Sequence, residues 1–150
     1  MPVELTPRGT YGSNLEKMPR PFKKIMFGLL TFMMRLGRAR LVYLTTVGAR
    51  SGRNFTVPLQ WFPAGEDAWL VIASYGGSAR HPDWYVNMAK NPDKVWIQIR
   101  KRKLKVRPES LKGDERLAAW QRIVSEAPVY AGYQEKTDRE IPVVRLRSEQ

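Results

Sequence analysis

The stretch from Leu41 to Pro92 constrains the fold most, because apolar, β-branched runs there are separated only by short glycine-bearing turns. Arg40 to Thr46, Phe55 to Phe62 and Ala68 to Ser74 have the composition of strands. The first run is followed by Gly48-Ala49-Arg50-Ser51-Gly52 and the third by Ser74-Tyr75-Gly76-Gly77. Between the second and third, Pro63-Ala64-Gly65-Glu66-Asp67 reads as a hairpin loop. Val95 to Arg100 and Lys103 to Arg107 predict another hairpin with Lys101 and Arg102 at its turn, and Ile141 to Leu146 a last strand. Connections this short join antiparallel neighbours, since a parallel pair needs a long crossover. Strands and helices do not alternate regularly enough for a doubly wound sheet. The expected class is therefore α+β, mostly antiparallel, as a small barrel with added helices.

Helical periodicity marks residues 21 to 38. Lys24, Gly28, Thr31, Arg35 and Arg38 form one narrow polar stripe, from which only Lys23 departs. Phe22, Ile25, Met26, Phe27, Leu29, Leu30, Phe32, Met33, Met34 and Leu36 cover the rest, so the helix is expected to bury most of its circumference, with Gly37 as its stop. The run is interrupted by polar and charged residues and is too short to span a bilayer. A short helix is expected at Pro82 to Lys90, with Pro82 in its first position and Asn91-Pro92 ending it. Another is expected at Gly113 to Glu126, with Leu117, Trp120, Ile123 and Val124 on one face. Val129 to Tyr133 reads as an aromatic loop. Residues 1 to 20 lack periodicity and read as a mobile arm ahead of a single domain spanning 21 to 150.

Lys and Arg number 26 against 14 Asp and Glu, a formal charge of +12. Such a balance favours an anionic partner: nucleic acid, an acidic membrane surface or a polyanionic cofactor. The absence of cysteine excludes disulfides, thiolate metal sites and cysteine nucleophiles. His81 is the only histidine, so a multi-histidine metal site within one chain is excluded and no metal is expected. No G-x-S-x-G surrounds any serine, and His81 before Pro82 reads as a helix-start residue rather than a base. In the first glycine turn, Arg50, Ser51 and Arg53 set guanidinium and hydroxyl donors beside exposed backbone N–H groups. That is the donor set an anionic group such as phosphate needs, reached without a Walker or Rossmann motif.

Several motifs in order resemble the deazaflavin-dependent nitroreductase family: Thr45-Thr46-x-Gly48-x-Arg50-Ser51-Gly52, Pro58-Leu59, Ala73-Ser74-x-Gly76-Gly77, His81-Pro82-x-Trp84-Tyr85 and Asn91-Pro92. Tyr130-x-x-Tyr133 and Thr137-Asp138-Arg139-x-Ile141-Pro142-Val143-Val144 continue it. The resemblance, over residues 38 to 146, implies a split β-barrel of the flavin-reductase type. It also implies reduced 8-hydroxy-5-deazaflavin as cofactor and hydride transfer to a quinone, nitroaromatic or enone. By resemblance, Gly48, Arg50, Ser51, Gly52 and Arg53 hold the cofactor's phosphate and acidic tail, and Pro58 belongs to the same groove. Ser74, Tyr75, Gly76, Gly77 and Ser78 lie along its ring and phosphate side, Trp84 packs by the ring, and Tyr130 and Tyr133 face the substrate. Tyr133 is the first candidate proton donor and Tyr130 the second. The family often has Pro-Arg where this chain has Asn54-Phe55, so Arg53 or Arg80 is the candidate replacement for one phosphate-side cation.

The alternatives are a flavin mononucleotide reductase on the same barrel, a lipid-binding module without redox work, and a nucleic-acid-binding barrel. The last is disfavoured because most aromatic residues fall in patterns that read as buried. The helix at 21 to 38 has two readings: a basic amphipathic contact with an anionic membrane, or a cap over the pocket. No secretory signal is evident, so a cytoplasmic protein is expected, in contact with the membrane or not. A monomer is favoured, with a dimer left open.

Overall fold

The computed structural model describes residues 3–36 and 40–149, and for residues 16, 17, 26, 27, 30, 31 and 33–36 the backbone alone. Among the described residues the strands are β1 (Leu41–Val47), β2 (Asn54–Gln60), β3 (Phe62–Pro63), β4 (Ala68–Ile72), β5 (Val95–Ile99), β6 (Arg102–Ser110) and β7 (Val143–Ser148). The α-helices are α1 (Arg20–Leu36), α2 (Asp83–Lys90), α3 (Gly113–Glu126) and α4 (Val129–Glu135). Single 3-10 turns stand at Asn14–Lys17 and Tyr75–Gly77.

All strand pairs are antiparallel, in the order β2-β1-β5-β6-β7-β4-β3. Two features curl this sheet into a split barrel. β6 pairs with β5 through Arg102 to Lys105 and with β7 through Val106 to Ser110, so one long strand serves both halves. The outermost strands, β2 and β3, are separated in sequence only by Trp61, so the chain itself joins the two ends of the sheet. Pro58 lies in β2, an edge strand, where its missing N–H costs no ladder bond.

β4 is buried throughout, and its alternation feeds two cores. Trp69, Val71 and Ala73 join Val42, Leu44, Ile97, Val106 and Leu146 around Trp84, Tyr85 and Met88 of α2. Leu70 and Ile72 turn the other way, towards Ile123 of α3 and Tyr130 of α4.

Several expectations are corrected. The run 55–62 is broken at Trp61, because the strand changes sheet edges there. Arg102 is paired with Ile99 rather than sitting in the turn, and Pro82 caps α2 from outside instead of opening it. On α3 the buried positions are Ala119 and Ile123, one turn apart, whereas Leu117 is exposed. The aromatic segment 129–133 is a helix, not a loop, packed against α3 and the 75–77 turn.

The arm is irregular through Ser13 but tied down. Gly9 N–H donates to Ala79 O at 2.8 Å, Ser13 N–H to Gly77 O at 2.9 Å, and Asp138 accepts from Thr10 N–H and Oγ1 at 2.8 and 2.6 Å. Tyr85 Oη donates to the Glu4 carbonyl.

The apolar side chains of α1 that the structure describes are not buried as expected. Phe22, Ile25, Leu29 and Phe32 are between 57% and 72% exposed and fall on one stripe. The expected helix end at Gly37 and Arg38 lies outside the described residues. No helix among the described residues is long and apolar enough to cross a membrane.

Candidate cofactor and acceptor site

The β1–β2 turn is built from its glycines. Gly48 N–H donates to Arg53 O at 2.7 Å and Gly52 N–H to Gly48 O at 3.1 Å, closing the loop. Gly52 takes φ +71°, and nothing lies within 4 Å of where its Cβ would be, so the conformation rather than space requires glycine. At Gly48 a Cβ would sit 2.5 Å from Ser51 Oγ and 2.8 Å from the Phe55 ring, so those two side chains would have to shift to admit one. Ser51 Oγ accepts the Arg53 N–H at 3.2 Å. Arg50, Ser51, Gly52 and Arg53 are all exposed, as is Phe55 beside them. Pro58, also exposed, stands opposite Tyr43 along the same edge.

The second turn follows β4. Ser74 is right-handed (φ −75°), after which Tyr75, Gly76 and Gly77 take φ +43°, +61° and +83°. Ser78 is buried, and its Oγ accepts the Arg80 N–H at 3.2 Å. The Arg80 guanidinium pairs with Asp83 at 2.7 Å on the surface.

Asparagines of α2 and its C-cap hold the first turn. Asn87 Oδ1 accepts the Ala49 N–H at 3.0 Å, and its Nδ2 donates to Thr46 Oγ1 at 3.3 Å. Asn91 Nδ2 donates to Val47 O at 3.2 Å. The chain enters the same helix directly from the Ser74–Arg80 segment. Asn87 was missed in the sequence, because an asparagine within a helical run reads as a surface residue. Trp84 is only 7% exposed and belongs to the barrel core, so little of its ring is open to a ligand.

α4 brings the tyrosines to the second turn. The Tyr133 carbonyl lies 2.5 Å from the position a Cβ on Gly77 would take. The Tyr133 ring is half-buried, edge-on to Tyr130 at 5.8 Å, with Lys136 Nζ 5.9 Å from its centroid. Tyr130 is 9% exposed and donates its hydroxyl to Gln60 Oε1 at 3.1 Å. Burial, reinforced by Tyr133, pushes its phenol far above the usual range, so Tyr130 keeps its proton.

His81 does not start α2, whose N-cap is Pro82. The histidine is buried, with Nε2 2.7 Å from the Thr6 carbonyl and Nδ1 3.0 Å from Arg139 Nη1. Desolvation lowers its pKa, with Arg139 and Arg8 adding to the effect and backbone bonds opposing it.

The profile of the F420H(2)-dependent quinone reductase family matches residues 28–148. A relative from Mycobacterium tuberculosis described as an F420H(2)-dependent quinone reductase is 39% identical over 107 residues, covering 69% of this chain and 70% of that protein. A solved F420-H2 dependent reductase superposes with a TM-score of 0.64 at 38% identity, covering 72% of this chain and 94% of its own. A second solved chain, described as a domain-swapped dimer, also gives 0.64, at 32% identity over 85% of this chain and 100% of its own. With the family profile, the sequence identity and the shared fold in agreement, this chain belongs to the F420H(2)-dependent quinone reductase family.

Proposed function

We propose that this protein transfers a hydride from reduced 8-hydroxy-5-deazaflavin to a quinone-type acceptor. Besides the family, the observation that carries this reading is an exposed Arg50–Arg53 turn tied to α2, with a second glycine turn, backed by Tyr133, leading into the same helix. The donor set fits the cofactor. Arg50 and Arg53 are exposed on a turn whose backbone is already closed on itself, leaving the guanidinium groups for a phosphate and acidic tail.

When bound, the deazaflavin supplies two electrons and a proton as hydride from C5. The quinone then needs one further proton to become the hydroquinone. Tyr133, half-buried beside the second turn, is our candidate to supply or hydrogen-bond that proton. Tyr130, its hydroxyl committed to Gln60, orients Tyr133 rather than donating. Flavin mononucleotide would share the barrel, and a direct comparison decides between the two. The protein's own tryptophan fluorescence, followed during titration with each cofactor, should show saturable binding that prefers the deazaflavin. Equal or stronger binding of flavin mononucleotide would contradict the reading. Nitroaromatics and enones are further electron-poor acceptors to be ranked by rate against quinones.

The finer placement is a peripheral contact with an anionic membrane on the cytoplasmic side. The exposed stripe Phe22, Ile25, Leu29 and Phe32 on α1 supports it, with Arg20 and Lys24 exposed on the same helix to meet headgroups. A lipid-soluble quinone would be met there. Sedimentation with vesicles of anionic phospholipid should carry the protein down, and Ile25→Asp with Leu29→Asp should release it. Loss of a dimer in that double variant, without vesicle binding by the parent, would assign the stripe to a second copy instead.

A further inference from the structure

We propose that Arg139 is a positioning residue for the cofactor: its buried guanidinium gathers the carbonyls of the Ser74–Ser78 turn on one side and thereby aims that turn's N–H groups at an anionic oxygen on the other. The inference rests on the deazaflavin reading above. Arg139 is 2% exposed, a rare position for arginine, and its fork is spent on the turn. Nε donates to Ser78 O at 3.0 Å, Nη1 to Ala73 O at 3.0 Å and Nη2 to Ser74 O at 2.8 Å.

A trans peptide points its carbonyl and the next N–H in opposite directions. With the Ala73 and Ser74 carbonyls drawn to Arg139, the N–H groups of Ser74 and Tyr75 face away from it. The succession of right-handed Ser74 and left-handed Tyr75 brings two such N–H groups to one concave side, the geometry that receives anionic oxygens. The ligand class is therefore an anionic oxygen of the cofactor.

The guanidinium is itself held in place. It has only donors, so His81 Nδ1 must accept from Nη1, which puts the imidazole proton on Nε2, aimed at the Thr6 carbonyl. Thr6 lies in the arm that also bonds Gly77 O and Ala79 O, while Thr137 Oγ1 receives the Arg139 N–H at 3.1 Å and donates to Tyr11 O at 2.7 Å. Arm, His81 and Arg139 thus form one continuous support behind the turn. Lysine would keep the charge but could not span three carbonyls from one ammonium.

The test uses Arg139→Lys, with His81→Ala as a gentler second variant. Two quantities are read: affinity for the deazaflavin per folded molecule, and amide hydrogen exchange of the segment 73–80 without cofactor. We expect Arg139→Lys to weaken binding at least ~tenfold and to speed exchange in that segment while the β5–β6 hairpin is unchanged. Added methylguanidinium should restore part of the affinity of an Arg139→Ala variant. Unchanged affinity in a parent that binds deazaflavin overturns the proposal. If the parent itself binds none, the cofactor reading fails and takes the proposal with it; weaker binding with unchanged exchange in the 73–80 segment overturns the positioning claim alone.

Discussion

Replacing Gly77 with alanine tests the join between the second turn and α4. Gly77 has φ +83°, where a Cβ costs about 1–2 kcal/mol. That Cβ would also lie 2.5 Å from the Tyr133 carbonyl oxygen and 3.1 Å from Lys136 Cβ. Backbone atoms cannot swing aside like the end of a side chain, so α4 must shift, an overpacking cost of about 1–3 kcal/mol. Together these give about 2–5 kcal/mol, or roughly 5–15 °C in Tm for a chain of this length. Gly52→Ala is the internal control. It has φ +71° but an empty surrounding, so it should lose only the conformational part, about 1–2 kcal/mol. Urea unfolding of the three proteins, read by tryptophan fluorescence, measures both. A Gly77→Ala loss no greater than that of Gly52→Ala would refute the claim that the turn and α4 are in fixed contact.

The β1–β2 turn, the tyrosines and His81 carry the remaining predictions. Arg50→Ala should weaken deazaflavin binding about tenfold, as expected for one charged hydrogen bond, and flatten its salt dependence in the same fluorescence titration. Tyr133→Phe should lower kcat about tenfold or more with a smaller change in KM. Tyr130→Phe should instead cost about 1 kcal/mol of stability, measured in urea, and leave the pH profile of turnover unchanged, since the parent phenol does not ionise. His81 is held neutral below its ordinary pKa of 6.5, so unfolding takes up a proton as pH falls past 6.5. Stability from this source is complete above that value and is lost as pH falls through the lower folded pKa. The urea midpoint should therefore drop as pH falls below about 6.5, and His81→Asn should reduce that drop.

The strands were legible because Val, Ile, Thr and aromatic residues are concentrated in runs bounded by glycine and proline. Pro58 fitted the same logic, being tolerated on an edge strand. α4 was not legible: seven residues with Gly132 among them are too few to display a period, and contact with the 75–77 turn stabilises the helix. Periodicity identified α1 but could not show that Phe22, Ile25, Leu29 and Phe32 would stand open. At the site, the exposed Arg50–Arg53 turn followed from local residues alone. Arg139 and His81 did not, since their burial depends on an arm and a C-terminal segment that meet only in the folded chain. Trp84, placed beside the cofactor by resemblance, went to the core because its helix face turns into the barrel.

The most direct test of the central claim is turnover. Purified protein is mixed with reduced deazaflavin and a soluble quinone such as menadione under anaerobic conditions, and the return of oxidised deazaflavin absorbance is followed. The account predicts catalytic oxidation that needs both protein and quinone, saturates in each substrate and produces one hydroquinone per deazaflavin oxidised. Tight deazaflavin binding with no acceleration by any quinone, or turnover only with flavin mononucleotide, would contradict it.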